Sequence, residues 1–264
     1  MKYDLALLKE IMINAAREEL LPRFADVRRD FKADGSFVTE ADMAVQSRVI
    51  RELKQHYPDT VLLGEEMTTE EQLSLLNTSD ALWCLDPLDG TSNFAIGIPY
   101  YSVSLALIEK GQPVFGIVYD PNRDECFVGI RGQGAFLNDQ PLQVGSPDLP
   151  LEKCTAVVDF KRLPEKLAMH LVSIRPFASQ RSFGSVALDW CWLAASRFHL
   201  YLHGRSNIWD YVAGNLIFSE AGGFSSTLEG EAIYINELTP RSSVGALDQK
   251  HFNAWYHWLA EHNK

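Results

Sequence analysis

Apolar residues recur at three- and four-residue spacing through residues 3–24, where Leu5, Leu8, Met12 and Ala15 form one stripe and Pro22 ends the pattern. This predicts an amphipathic helix. The same period over 40–56 puts Val45, Val49 and Leu53 on one face of a second helix. The rhythm then shortens. Val61–Leu63 and Ala81–Leu85 are brief apolar runs of the kind that form buried strands. Tyr101–Ile108, Pro113–Tyr119 and Glu125–Ile130 are separated by turn-forming stretches, which predicts a mostly antiparallel meander. Residues 139–153, with Pro141, Pro147 and Pro150, read as a loop and as the boundary between two subdomains, 1–145 and 146–264. Beyond it the pattern predicts a strand at Thr155–Asp159, helices at Glu165–Ile174 and Val186–Ser196, a strand at Phe198–Leu202, and helices at Trp209–Glu220 and Gln249–His262. Blocks of helices and strands in one chain of 264 residues predict an α+β or layered α/β domain.

Candidate chemistry sits where the apolar run from Trp83 ends. Asp86 and Asp89 lie on either side of Pro87-Leu88, followed by Gly90, Thr91, Ser92, Asn93 and Phe94. Carboxylates at a strand end are hard oxygen donors of the kind Mg²⁺ prefers. Backbone N–H groups at Gly90, Thr91 and Ser92 would form an anion cradle if they open a helix. A divalent cation beside a phosphate cradle suits phosphoryl chemistry. The plain alternative is an Asp-Pro-x-Asp-Gly surface turn.

Two further segments bear on that choice. Gly64-Glu65-Glu66 follows the apolar run at Val61–Leu63. Trp209-Asp210 leads to Gly214 and on to Glu220-Ala221-Gly222-Gly223. With the Asp86 segment, these resemble the inositol monophosphatase family of Mg²⁺-dependent, lithium-sensitive phosphatases. The resemblance covers nearly the whole chain. It runs from Asp34 through Thr39 and Asp42, the Gly116–Pro121 and Gly132–Phe136 stretches, and Gly184–Leu188, to Gly223.

The resemblance implies an αβαβα sandwich of the inositol monophosphatase and fructose-1,6-bisphosphatase type, with the site at the subdomain junction. It implies that Glu65, Asp86 and the Leu88 carbonyl hold a first Mg²⁺, that Asp86, Asp89 and Asp210 hold a second, and that Asp42 and Glu65 lie near a third, weaker site. Thr91, paired with Glu65, would orient the attacking water. Substrate would meet Gly90, Thr91, Ser92, Val186 and Asp210. Other readings stay open residue by residue. Thr39 and Asp42 have capping-box spacing, Glu65 and Glu66 suit a solvated loop, and Asp210 suits the first turn of a helix.

One position departs from the family. Where inositol-phosphate hydrolysing members carry an acid that accepts bonds from sugar hydroxyls, seven residues before Asp210, this chain has His203, with Arg205 two residues on. Neutral imidazole accepts one bond and the charged form none, whereas Arg grips a phosphate or carboxylate through a bidentate fork. Inositol 1-phosphate therefore competes with second-anion substrates: fructose 1,6-bisphosphate, adenosine 3′,5′-bisphosphate, NADP or histidinol phosphate. A regulatory binding protein that has lost catalysis is the remaining reading. It is opposed by the presence of all five acids and Thr91.

Bulk properties narrow the class. A net charge of −11 opposes a broad nucleic-acid surface, leaving a small phosphorylated metabolite as the expected partner. No stretch approaches the ~20 apolar residues of a membrane span, and Met1–Asp4 has no basic lead into an apolar core, so no secretory signal is expected. Cys84, Cys126, Cys154 and Cys191 have no metal or redox spacing and read as free thiols of a cytoplasmic protein. The family also implies a homodimer.

Overall fold

The computed structural model describes residues 3–24 and 40–263 in full, and only the backbone at 30–31 and 37–38. Thr39, and with it the capping-box reading of Asp42, lies outside the described residues, as does most of the segment beginning at Asp34. Helix α1 (Leu5–Ala15) is capped by Asp4, which accepts from the N–H groups of Ala6 and Leu7. It widens into a π turn over Ala16–Leu20, so the helix predicted through residue 24 ends two residues short of Pro22. A short antiparallel pair, β1 (Asp30–Phe31) and β2 (Phe37–Val38), leads to α2 (Glu40–His56).

A seven-stranded sheet follows. Its strands are β3 (Val61–Gly64), β4 (Ala81–Asp89), β5 (Ser102–Glu109), β6 (Gln112–Asp120), β7 (Glu125–Ile130), β8 (Gly134–Leu137) and β9 (Gln140–Leu142), lying side by side in chain order. Only β3 and β4 run parallel, and the rest is the predicted antiparallel meander. Helix α3 (Thr69–Thr78) joins β3 to β4, and α4 (Thr91–Ile96) joins β4 to β5. Sequence reading passed over α3. Its signal is Thr68 with Glu71, which form a complete capping box, ahead of Leu73 and Leu76.

The second sheet has five strands in the order β11-β10-β12-β14-β13. These are β10 (Thr155–Asp159), β11 (Ser179–Arg181), β12 (Leu200–Ser206), β13 (Phe224–Ser226) and β14 (Arg241–Ala246). Helices α5 (Glu165–Ser173), α6 (Val186–Ala194), α7 (Ile208–Glu220) and α8 (Gln249–His262) complete the chain. The loop expected over 139–153 contains β9 and a 3-10 turn at Leu151–Lys153.

Five layers result, α1/α2, sheet, α6/α7, sheet, α5/α8, and the alternation along each strand shows why. On β4, Trp83 and Leu85 pack toward α1 and α2, while Leu82 and Cys84 pack toward α6 and α7. On β12, Tyr201 faces α6, and Leu200 and Leu202 face α8. A strand covered on both sides carries apolar residues at every position. Helix α7 lies close on the first sheet because Gly116 and Gly129 leave room: a Cβ at Gly116 would sit 2.8 Å from the Ala213 carbonyl oxygen, and one at Gly129 2.8 Å from the Ile217 Cα. All four cysteines are buried free thiols.

Candidate active site

Strand β4 continues past its apolar run to Asp89. Two strand residues three apart normally face opposite sides of a sheet. Here the register slips. Asp86 pairs with Ser104 and Asp89 with Ser102, so three steps on β4 match two on β5. The extra residue beside Pro87 is a bulge, and it turns both carboxylates into one cleft. Leu88 N–H donates to Asp86 Oδ1 at 3.0 Å, fixing the bend. Gly90, at φ +97, then starts α4; a Cβ there would sit 3.0 Å from the Tyr100 carbonyl oxygen.

The cleft has a volume of about 430 Å³ and lies between the two sheets. Four of the predicted acids reach it: Glu65 from the end of β3, Asp86 and Asp89 from β4, and Asp210 from the first turn of α7. So do Gly90, Thr91, Ser92 and Val186, and the N-terminal turn of α4 faces the same space. Helix α3 steadies the Glu65 segment, since Gln72 Nε2 donates to the Gly64 carbonyl at 2.9 Å.

Each carboxylate is held by donors of its own. Asp89 accepts from Ser185 Oγ (2.5 Å), Val186 N–H (3.1 Å) and Ala187 N–H (2.7 Å), which clamps β4 to the start of α6. Asp210 Oδ2 accepts from Asn207 N–H at 2.7 Å in a capping box, so its capping role and its place in the cleft coexist. Burial, then the charges of Glu65, Asp89, Asp210 and Asp42, push the Asp86 carboxyl well above the usual carboxylate range. Burial, then Glu65 and Asp89, do the same to Asp210. Burial lifts Asp89 to about 6, against the pull of its three donors. Four carboxylates facing one cleft form a hard-oxygen donor set that suits a divalent cation. As the side chains stand, no group of three or more among the described residues closes on a single ion.

One expectation, the pairing of His203 with Arg205, is corrected. Asp42, 1% exposed, stands behind Thr91 and is not on the cleft wall. The Thr91 hydroxyl lies 2.9 Å from the Leu88 carbonyl and 3.4 Å from Asp42 Oδ1, so the threonine is held between strand β4 and α2. His203 and Arg205 do not act as a pair. Arg205 is exposed and lines a separate groove with Pro164, Leu228 and Arg241, whereas His203 lines the cleft. The bulge that begins after His203 on β12 separates them.

Sequence reading missed Asp159, Lys161, Arg162 and Asp189, all of which line the cleft. Asp159 is brought in by the parallel register that sets it beside His203. Asp189 accepts from the Tyr100 hydroxyl at 2.9 Å. Only the Asp189 position has a local signal, an acid in the first turn of a predicted helix.

The layered fold thus carries a cleft lined by four carboxylates and by the first turn of α4. The inositol monophosphatase family profile matches residues 3–262, and the chain belongs to that family. A Nus factor SuhB of Pasteurella multocida is 38% identical over 214 residues, 80% of this chain and 79% of that protein. Inositol monophosphatase 1 of Solanum lycopersicum is 38% identical over 199 residues, 73% of this chain and 72% of that one. The solved structure of an inositol monophosphatase from Thermotoga maritima superposes with a TM-score of 0.83 at 26% identity, covering 98% of this chain and 99% of its own.

Proposed function

We propose that this protein is a Mg²⁺-dependent phosphomonoesterase that hydrolyses a small phosphate monoester by direct attack of water. The observation that carries the reading is the convergence of Glu65, Asp86, Asp89 and Asp210 on one cleft, opposite the first turn of α4. Glu65, Asp86 and the Leu88 carbonyl would hold one ion, and Asp86, Asp89 and Asp210 a second, with Asp42 and Glu65 near a weaker third. Mg²⁺ held there would supply charge neutralisation for the ester oxygens and a more acidic water. The chain's own groups do the rest. Thr91 Oγ donates to Leu88 O, so its lone pairs accept a bond from water and aim it at phosphorus. Glu65 takes the proton. The N–H groups that open α4 meet the phosphate oxygens.

The reading includes one phosphatase domain over 1–264, with 1–145 and 146–264 as subdomains. It is supported by the first sheet ending at Leu142 and the second beginning at Thr155. It also includes a homodimer in the cytoplasm, supported by family resemblance alone. No helix among the described residues is long and apolar enough to cross a membrane.

A second reading, regulatory binding with or without catalysis, is favoured by the similarity to a protein named as a Nus factor. Phosphate release with and without Mg²⁺ separates the two. The panel is inositol 1-phosphate, fructose 1,6-bisphosphate, adenosine 3′,5′-bisphosphate, NADP and histidinol phosphate. Mg²⁺-dependent turnover of one compound supports the enzyme. Silence across the panel, with Mg²⁺ binding demonstrated, moves the weight to the regulatory reading.

A further inference from the structure

The alcohol part of a substrate must be recognised at the end of the cleft away from the four clustered carboxylates. That end is formed by β10, β12 and the 3-10 turn at Phe160–Arg162. Its buried member is His203, 3% exposed. Arg205 N–H donates to His203 Nδ1 at 3.3 Å, and His203 Nε2 lies 2.9 Å from Asp159 Oδ2. The first contact makes Nδ1 an acceptor, so Nε2 carries the proton and donates it to Asp159. Both ring nitrogens are then used, and His203 has nothing left to offer a ligand.

Asp159 is different. Its Oδ1 accepts from Lys161 N–H at 2.9 Å and its Oδ2 from His203. A carboxylate has about four acceptor positions, so each oxygen keeps one. The group is gripped from two sides: it caps the 3-10 turn through Lys161, and the parallel register sets it beside His203. Burial would raise its pKa, but the His203 bond, the Lys161 N–H and the Arg162 charge outweigh that and hold it below the usual carboxylate value. It is therefore an ionised, oriented acceptor on the cleft wall. The cleft's cations, Lys161 and Arg162, are exposed, and Arg162 donates to the Arg205 carbonyl at 3.1 Å.

We propose that Asp159, oriented by His203, is the specificity residue of this cleft and accepts hydrogen bonds from hydroxyl groups on the alcohol part of the substrate. His203 is a positioning residue that acts through Asp159. The inference rests on the phosphomonoesterase reading above. An ionised acid on this wall offers its remaining lone pairs to neutral hydroxyl donors.

The test compares two esters in Mg²⁺: inositol 1-phosphate, which has hydroxyls, and p-nitrophenyl phosphate, which has none. Asp159→Asn is expected to lower kcat/KM for the inositol ester about ten- to a hundredfold, through KM. The same variant is expected to leave the nitrophenyl ester within about twofold. His203→Phe, which removes the donor, should follow Asp159→Asn, whereas His203→Gln, which keeps an N–H, should retain more of the preference. Melting curves check folding, and if Asp159→Asn does not fold, the His203 pair carries the test. Equal loss on both esters would make Asp159 purely structural and overturn the proposal. A wild-type preference for fructose 1,6-bisphosphate that Lys161→Ala removes would also overturn it. If the wild type hydrolyses neither ester, the phosphomonoesterase reading fails first and the proposal falls with it.

Discussion

Without divalent cations, the carboxylate cluster is expected to be a pH-dependent liability. A carboxyl whose folded pKa exceeds its unfolded value binds its proton more tightly in the native state. Its stabilisation is complete below the unfolded pKa and disappears as pH rises through the folded one. For Asp89 that window runs from 3.8 to about 6, and at 1.36 kcal/mol per pH unit the loss is about 3 kcal/mol. Asp86 and Asp210 shift in the same direction and deepen the loss. A change of about 3 kcal/mol corresponds to roughly 6–12 °C in Tm for a chain of this size.

On the proposed reading, bound Mg²⁺ is expected to neutralise the ionised cluster and remove the penalty at neutral pH. Other groups titrate nearby: buried Asp189 in the same direction and His199 in the opposite one. The informative quantity is therefore the gap between Tm in Mg²⁺ and Tm in chelator. It is expected to be widest at about pH 7.5 and to close by about pH 4.5. Asp86→Asn should raise the chelated Tm at neutral pH while abolishing both the Mg²⁺ response and turnover. A gap that stays constant across this range, or an Asp86→Asn protein no more stable in chelator than the wild type, would refute the reasoning.

Other substitutions probe neighbouring parts of the argument. Thr91→Ala should lower kcat about a hundredfold with Tm unchanged, measured by steady-state phosphate release and melting; an unaltered rate would remove Thr91 from the reaction. Gly204→Ala drives a Cβ into the Arg162 carbonyl. It should cost about 1–3 kcal/mol in urea unfolding, and wild-type stability would show that the turn yields freely. His203→Glu removes the donor to Asp159 and sets two carboxylates side by side, so the inositol 1-phosphate preference should fall. From the sequence alone, replacing His203 by an acid is expected to raise it, and the kcat/KM ratio between esters decides.

Much of the fold was legible because it is local. A period of two or of 3.6, a proline stop and a capping pair are visible within one segment, which is why α2, β7, β10 and α8 fall where the pattern puts them. The edge strands β11 and β13 were not, since three-residue strands carry too little alternation to register. The carboxylates at 65, 86, 89 and 210 were named from motif resemblance, and all four line the cleft. Arg205 was misplaced because a bulge between His203 and Ser206 breaks an alternation that sequence spacing assumes.

By itself, the amino-acid sequence determined the kind of chemistry available: hard oxygen donors at a strand end, a glycine where α4 must begin, and helices and strands with faces to bury. Only the tertiary structure decided which of those groups meet. Asp89 finds Ser185, 96 residues away, and Asp159 finds His203 across two parallel strands. Strand register and layer packing are properties of the whole chain: each contact becomes favourable once the rest of the core has set the distance, and no single segment carries that information.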